Sequence, residues 1–176
     1  MKTEWMGNYQ MLLRSLYRAA NAFSQICKVE FAGETVRFSS YEAQIMEYIL
    51  DYENRNMRWY AKQLGLSPST YTKYIKRLSD KGLVDKYHIE GNRKDVVLRL
   101  SPLGLEEYDR YARYIYEKAF RDLFSILDNL SPESLATMEA FLTAWGDNQY
   151  KLLKTESQED KKLIKIPLKK TVREET

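Results

Sequence analysis

Residues 60–104 read YAKQLGLSPSTYTKYIKRLSDKGLVDKYHIEGNRKDVVLRLSPLG, and this stretch decides the fold. Gly65 stops a short helical run that ends at Leu64, and Ser67-Pro68 opens another almost at once. A serine before the first turn accepts a bond from an orphan backbone N–H, and a proline at the first helical position gives up an N–H that had no partner anyway. The helix so started runs to about Lys81, where Gly82 supplies a left-handed stop. Helix, tight turn, helix is therefore the reading of residues 57–82. From Leu83 the period changes. Residues 85–90 read as a strand, Glu90-Gly91-Asn92-Arg93 as a polar hairpin tip, and Val96, Leu98 and Leu100 as the inner positions of the returning strand. An isolated hairpin is marginal, so this one must lean on the helices before it, as a wing. Ser101-Pro102 then repeats the serine-proline device and starts a further helix.

On the second helix of the pair, Tyr71, Ile75 and Leu78 recur at spacings of three and four and face a core. That leaves Ser69, Thr70, Thr72, Lys73, Lys76 and Arg77 on outer faces, an exposed stripe of hydroxyls and cations. Such side chains on an element narrow enough for the major groove are what base readout of double-stranded DNA requires. Ser69, Thr70 and Lys73, nearest the helix start, are the base-contact candidates, and Lys76 and Arg77 the candidates for phosphate or the groove edge. Asn92, Arg93 and Lys94 form the wing candidates, with Arg93 suited to a narrow minor groove. Arg58, Lys62, Ser67 and Lys86 extend the patch as weaker backbone contacts, and Ser67 acts as a cap in either case.

Charge is distributed accordingly. Residues 55–99 carry 11 Lys/Arg against 4 Asp/Glu, a net +7, whereas residues 1–54 carry 5 against 7 and residues 100–150 carry 4 against 9. One basic block sits between two acidic ones, although the whole chain of 176 residues has a formal charge of only +3.

Outward from the block, Tyr9 to about Val29 has the apolar spacing of one long amphipathic helix, and Gly33 ends that run. Ser39 with Glu42 forms a capping box for a helix whose inner side is Ile45, Tyr48, Ile49 and Tyr52, and Asn56 caps the next. After Pro102 a long helix carries Leu105, Tyr108, Ala112, Ile115, Leu123 and Leu127 on one side. Ser131-Pro132 opens a last helix with Leu135, Met138, Phe141, Leu142 and Trp145 inside. These flanking helices hold more apolar surface than a small winged domain can cover, which points to a homodimer with Leu12, Leu16, Leu123, Leu127, Phe141 and Trp145 as contacts; a monomer with its own helical subdomain is the alternative.

The expected class is mainly α with a small β-hairpin wing: a winged helix-turn-helix at 36–101, a helical dimerisation region at 1–35 and 102–155, and a flexible basic tail at 156–176. With one cysteine, Cys27, and one histidine, His88, neither a disulfide framework nor a zinc cluster is available, so no metal or cofactor is expected. Cys27 on an apolar helix face reads as a buried small hydrophobe. Absence of a phosphate-binding loop, and carboxylates placed mostly on outer helix faces, argue against an enzyme. No apolar run approaches the ~20 residues that span a bilayer, and no signal core opens the chain, so a cytoplasmic protein without a membrane partner is expected.

With these residues in place, the stretch from Tyr60 to Gly104 resembles the MarR family of transcriptional regulators, and the flanking helices extend the likeness to about residues 8–150. Ala61, Leu64, Ser69-Thr70, Thr72-Lys73, Ile75, Leu78, Gly82-Leu83-Val84, Arg93, Leu100 and Gly104 carry it. The resemblance implies a dimer whose two recognition helices enter successive major grooves of a pseudo-palindromic operator while the wings reach the minor groove. It also implies repression relieved by a small aromatic or phenolic effector bound between the dimerisation and DNA-binding regions, for which Tyr17, Tyr48 and Tyr52 are candidates. The family's wing carries aspartate, a variable residue and arginine where this chain has Asn92, Arg93 and Lys94, and Tyr71 replaces a smaller aliphatic residue. A winged-helix protein of replication or of plasmid or phage maintenance, and an interaction module that has lost DNA binding, are the competing readings.

Overall fold

The computed structural model describes residues 4–89 and 92–156 of the chain. They fall into two compact units that meet at Ser131/Pro132. The first begins with a 3-10 turn, Glu4–Tyr9, followed by α1 (Gln10–Ile26), β1 (Glu30–Ala32), β2 (Arg37–Ser39), α2 (Ser40–Asp51), α3 (Met57–Gln63) and α4 (Pro68–Asp80). It continues through β3 (Val84–Ile89), β4 (Asn92–Leu100), α5 (Pro102–Ile115), a π-helical turn (Tyr116–Phe120) and α6 (Arg121–Leu127). The second unit contributes one described element, α7 (Pro132–Glu156). The mainly helical class with a two-stranded wing is thus the architecture observed. The proposed tail from residue 157 onward lies outside the described residues.

The core sits where α2, α3, α4 and the base of the wing converge. Phe38, Ile45, Met46, Ile49, Tyr60, Tyr71, Ile75, Leu78, Leu83 and Leu98 are all buried in it. Helix α2 starts as its spacing predicts: the Ser39 hydroxyl accepts the Glu42 N–H at 3.2 Å, and the Glu42 carboxylate accepts the Ser39 N–H at 2.8 Å. The three residues Tyr71, Ile75 and Leu78 that periodicity assigns to the inner face of α4 are the ones that face inward.

Several expectations need correction. The first helix is shorter than Tyr9–Val29: it begins at Gln10, and Cys27 is its C-terminal cap. Gly33 does not end it but lies between two short strands that the apolar pattern does not reveal. β1 and β2 pair antiparallel, with Phe31 opposite Phe38. Three-residue strands are too short for a period to register, although the Phe31, Val36, Phe38 set is the sort of β-branched and aromatic content that strands favour. The helix after Pro102 is not continuous either. Between α5 and α6 the Arg121 N–H reaches back five residues to the Tyr116 carbonyl, inserting a π turn.

Two carboxylates depart from the mostly outer placement read from the sequence. Glu107 on α5 is only 1% exposed and Glu42 3%. One Glu107 oxygen accepts the Thr35 backbone N–H at 3.2 Å and the Thr35 hydroxyl at 3.0 Å, which fastens the β1–β2 turn to α5. Glu42 accepts both of the bonds that Lys81 directs at it, at 2.9 and 3.0 Å, across 39 residues of sequence. Arg110 braces the same turn by pairing with Glu34 at 2.7 Å and with Glu106 at 3.2 Å.

Two side chains of α4, Tyr71 and Ser79, bury hydroxyls without a hydrogen-bond partner, and Tyr71 is the larger. Its ring stacks on Tyr60 with centroids 6.0 Å apart and planes 13° from parallel, but its buried hydroxyl has no hydrogen-bond partner. Burial, reinforced by Tyr60, raises the Tyr71 phenol far above the usual tyrosine range, so it stays neutral. Because an unmet buried hydroxyl carries a desolvation cost of about 1–3 kcal/mol, Tyr71→Phe is expected to leave stability unchanged or to raise it. Tyr60→Phe is expected to lower it by about 0.5–1.5 kcal/mol, since the Tyr60 hydroxyl donates to the Tyr52 carbonyl. Chemical denaturation of both variants checks the contrast; a loss from Tyr71→Phe equal to that from Tyr60→Phe would contradict it.

Candidate nucleic-acid interface

Asn56 caps α3 by accepting the Trp59 N–H at 2.9 Å, and α3 buries Tyr60 and Ala61. Gly65 then takes φ +64°, a left-handed turn that a side chain would strain, and Leu66 N–H bonds back to the Ala61 carbonyl at 2.8 Å. The chain is thereby aimed at Ser67, whose hydroxyl accepts the Thr70 N–H at 3.1 Å with Pro68 in the first turn. The Ser67 hydroxyl also lies 3.0 Å from that of Ser69 and 2.8 Å from that of Thr70, at the end of α4 where backbone N–H groups point outward. Hydroxyls and the positive pole of a 13-residue helix share one surface there.

Along α4 the exposed side is Ser69, Thr72, Lys73, Lys76 and Arg77, with Thr70 half-buried. Thr72 is less free than its position suggests, because its hydroxyl donates to the Pro68 carbonyl at 2.8 Å. The Arg77 guanidinium lies 5.8 Å from the centre of the Tyr74 ring, within reach of its face. Arg58, Lys62, Ser67 and Lys86 are all exposed.

Cations on α4 and on α5–α6 differ in their pairing, although Arg14, Arg18, Arg37 and Lys118 also form no salt bridge among the described residues. On and after α5, Arg110, Arg113 and Arg121 each pair with an acid of their own helix region, Glu106, Asp109 and Glu117 respectively. In contrast Arg58, Lys62, Lys73, Lys76, Arg77 and Lys86 form no salt bridge among the described residues. Three of these cations, Lys73, Lys76 and Arg77, share the exposed side of α4.

The wing is fixed at its base. Strands β3 and β4 pair from Val84–Leu100 to His88–Val96, and after a break in register Ile89 pairs with Asn92. The returning strand therefore starts at Asn92, earlier than a four-residue tip would allow. The side chains of Asn92, Arg93 and Lys94 lie outside the described residues, as do Glu90 and Gly91. Arg99 on β4 donates to Asn54 Oδ1 at 2.7 Å and pairs with Glu53 at 3.3 Å, tying the wing to the α2–α3 turn. Asn54 holds φ +61°, a conformation asparagine tolerates better than most residues. At the other end the Ser101 hydroxyl donates to the Gly82 carbonyl at 2.6 Å and accepts the Gly104 N–H at 2.9 Å. The exit of α4 and the entry of α5 are thus joined through one serine.

Sequence patterns do not disclose Arg99, Asn54 and Lys81 as positioning residues, since each acts across tens of residues. Of the effector candidates, Tyr48 and Tyr52 are in ring contact at 5.5 Å, while Tyr17 is exposed on α1. The apolar recess near the α1–α5 junction is lined instead by Ile26, Val29, Phe31, Tyr111, Tyr114 and Ile115, with a volume of about 270 Å³. Cys27 is 1% exposed and burial raises its thiol, which agrees with a packing role.

The MarR family model matches residues 42–96, from α2 into β4. Among solved structures, ZitR of Lactococcus lactis, as a cysteine-to-serine mutant in complex with DNA, superposes with a TM-score of 0.56 at 16% identity, covering 81% of this chain and 98% of that one. FabT of Streptococcus pneumoniae in complex with DNA gives 0.55 at 23% identity, covering 84% and 99%. The PcaV transcriptional regulator of Streptomyces coelicolor with its natural ligand gives 0.52 at 21%, covering 80% and 93%. No curated protein sequence matches the chain. The structural likenesses establish the fold, and the family match falls on the residues that build the helix-turn-helix and most of its wing. Over residues 42–96 the chain is similar to the MarR family of transcriptional regulators, and its fold is that of a winged helix-turn-helix.

Proposed function

We propose that the chain is a sequence-specific regulator that binds a pseudo-palindromic duplex as a homodimer, with α4 in the major groove and the β3–β4 wing beside the minor groove. The observation that carries this reading is the set of unpaired cations on α4 beside an N-terminal cluster of hydroxyls. Lys73, with Ser69 and Thr70, reads base edges; Lys76 and Arg77 meet phosphate or the groove edge; Arg58, Lys62 and Lys86 meet the backbone. Asn92, Arg93 and Lys94 serve the wing. The DNA-bound ZitR and FabT structures share this fold, which supports the assignment.

Base and backbone contacts leave different signatures. Lys73→Ala is expected to weaken binding by about 1–3 kcal/mol and to relax preference at one or two base pairs. Lys62→Ala is expected to weaken all duplexes alike and to reduce the salt slope by about 1. Anisotropy titrations on selected and scrambled duplexes check both; equal losses on the two duplexes for Lys73→Ala would remove base readout.

Dimerisation is supported by apolar surface that one chain leaves uncovered. Met11 is 70% exposed and Ile126 62%, and Leu12, Phe23, Leu123 and Phe141 are also exposed. Leu16, Leu127 and Trp145 are half-buried. Residues 1–35 and 102–155 accordingly form the proposed dimerisation region, and 36–101 the DNA-binding domain. Sedimentation should give twice the 20.9 kDa chain mass at micromolar concentration, and Leu123→Lys should shift it toward monomer. A single-chain mass for the unaltered protein would contradict the dimer.

Regulation by a ligand completes the reading. The recess of about 270 Å³ between the end of α1, β1 and α5 is the place for an aromatic effector, because it joins the dimerisation helices to the winged domain. As a repressor, the protein would leave its operator when that recess fills.

A further inference from the structure

A second recess lies on the far side of Tyr111, where the π turn faces α2. Its volume is about 180 Å³, and Glu47, Tyr108, Tyr111, Tyr116, Phe120 and Phe124 line it. The π turn and α6 shape it: Phe124 of α6 contacts both Tyr116, at 5.9 Å between ring centres, and Phe120, at 5.6 Å, so three rings line one side of it. Such turns inside α-helices are frequent at functional sites. Besides the tyrosines, the one ionisable side chain in the lining is the Glu47 carboxylate, and no Lys, Arg or His is among the described lining residues. Asp51 follows Glu47 one turn later on α2.

Two of the groups shifted at the recess, Glu47 and Tyr108, respond to burial and to neighbouring acids. Burial, and then the charge of Asp51, raises Glu47 above the usual carboxylate range. Burial and the charges of Glu47 and Asp51 together push the Tyr108 phenol up to about 12. An anion such as a phenolate placed here would meet the burial, and after it the repulsion from Glu47 and Asp51, that lift Tyr108. A cation would meet aromatic faces, whose quadrupoles attract positive charge, and a carboxylate that its arrival would help to ionise. The size favours a compact occupant, since sites for drug-sized molecules run to roughly 300–1,000 Å³.

We propose that this recess is a binding site for a small organic cation, a quaternary or protonated amine held by aromatic faces and by Glu47. It lies apart from the recess assigned to an aromatic effector, which shares Tyr111 and Ile115 with it and is bordered by Glu30 rather than Glu47. It also stands apart from the DNA reading, because binding is measured on the free protein.

The test compares choline with its uncharged isostere 3,3-dimethylbutan-1-ol, by calorimetric titration of the full chain without DNA. Choline is expected to bind at least about tenfold more tightly than the alcohol, in line with a desolvated cation on aromatic faces. Glu47→Gln is expected to abolish that preference, and Phe124→Leu, which keeps apolar bulk and removes the ring, to reduce it at least about threefold. Thermal melts of both variants confirm that they are folded. Equal affinities for choline and the alcohol, an unchanged preference in folded Glu47→Gln, or no choline binding at 50-fold excess over protein would overturn the proposal. Displacement of choline by salicylate would also overturn it, by showing that the recess accepts anions.

Discussion

Alanine at Gly104 is expected to lower the melting temperature by roughly 6–12 °C, the shift that a loss of about 3 kcal/mol produces in a chain of this size. Gly104 sits in the first turn of α5, buried against the residue that leaves α4. A Cβ there would fall well inside contact distance of the Leu83 carbonyl oxygen and 3.0 Å from its carbonyl carbon. Neither atom can retreat easily. Leu83 is fully buried, and its carbonyl accepts the Ser101 N–H at 3.1 Å while its own N–H bonds to the Leu78 carbonyl at 2.9 Å. Overpacking against a fixed backbone costs about 1–3 kcal/mol or more, a large fraction of the roughly 5–15 kcal/mol that holds most domains together. Gly146, inside α7 with nothing within 4 Å of an added Cβ, is the control. There alanine should stabilise by about 0.5–1 kcal/mol, because glycine loses more backbone freedom in a helix. Thermal melts followed by circular dichroism separate the two cases, and equal small effects at both positions would contradict the close approach of α5 to Leu83.

Joint replacement of Lys73, Lys76 and Arg77 by alanine should weaken duplex binding at least about a hundredfold, since a base-contacting side chain alone is worth about 1–3 kcal/mol. The dependence of log affinity on log salt should become shallower by about 2–3, as expected for three lost counterion-releasing contacts. Stability should change little, because all three side chains are exposed on the outer side of α4 and none forms a salt bridge among the described residues. Arg113→Ala and Arg121→Ala, each compared with single alanine replacements on α4, serve as controls that also remove positive charge. Those arginines already pair with Asp109 and Glu117, so their loss should leave DNA affinity unchanged. Similar losses from the single α4 variants and from the controls would mean that net charge, not α4, governs binding.

What could be read from the sequence, and what could not, divides along physical lines. Caps, stops and inner faces are local: Ser39, Asn56, Ser67 and Ser101 each accept the backbone N–H three residues on, and Gly82 takes the left-handed conformation that ends α4. Each depends on residues within one turn, so spacing alone exposes it. The β1–β2 hairpin has no such signature, since its three-residue strands are held by Phe31 and Phe38 packing and by Glu107 from α5, 72 residues beyond Thr35. The π turn is equally silent, because Tyr108, Ala112 and Ile115 followed by Leu123 and Leu127 continue to look helical across it. Long-range pairs were invisible for the same reason: nothing around Arg99 indicates Asn54, and nothing around Glu42 indicates Lys81. The candidate interface followed the local rule. Outer faces of α4 were legible because its inner face was, whereas the freedom of its cations became visible only when every other pair could be traced.

The central claim is that this chain reads duplex sequence through α4, and affinity measured against salt on two duplexes tests it most directly. One duplex is recovered by selection from a random pool and the other is its scrambled counterpart, titrated by anisotropy between about 50 and 200 mM salt. The account predicts that both affinities fall as salt rises and that the selected duplex is bound at least about a thousandfold more tightly throughout. Equal affinity for the two duplexes, or no salt-dependent binding to either, would contradict it.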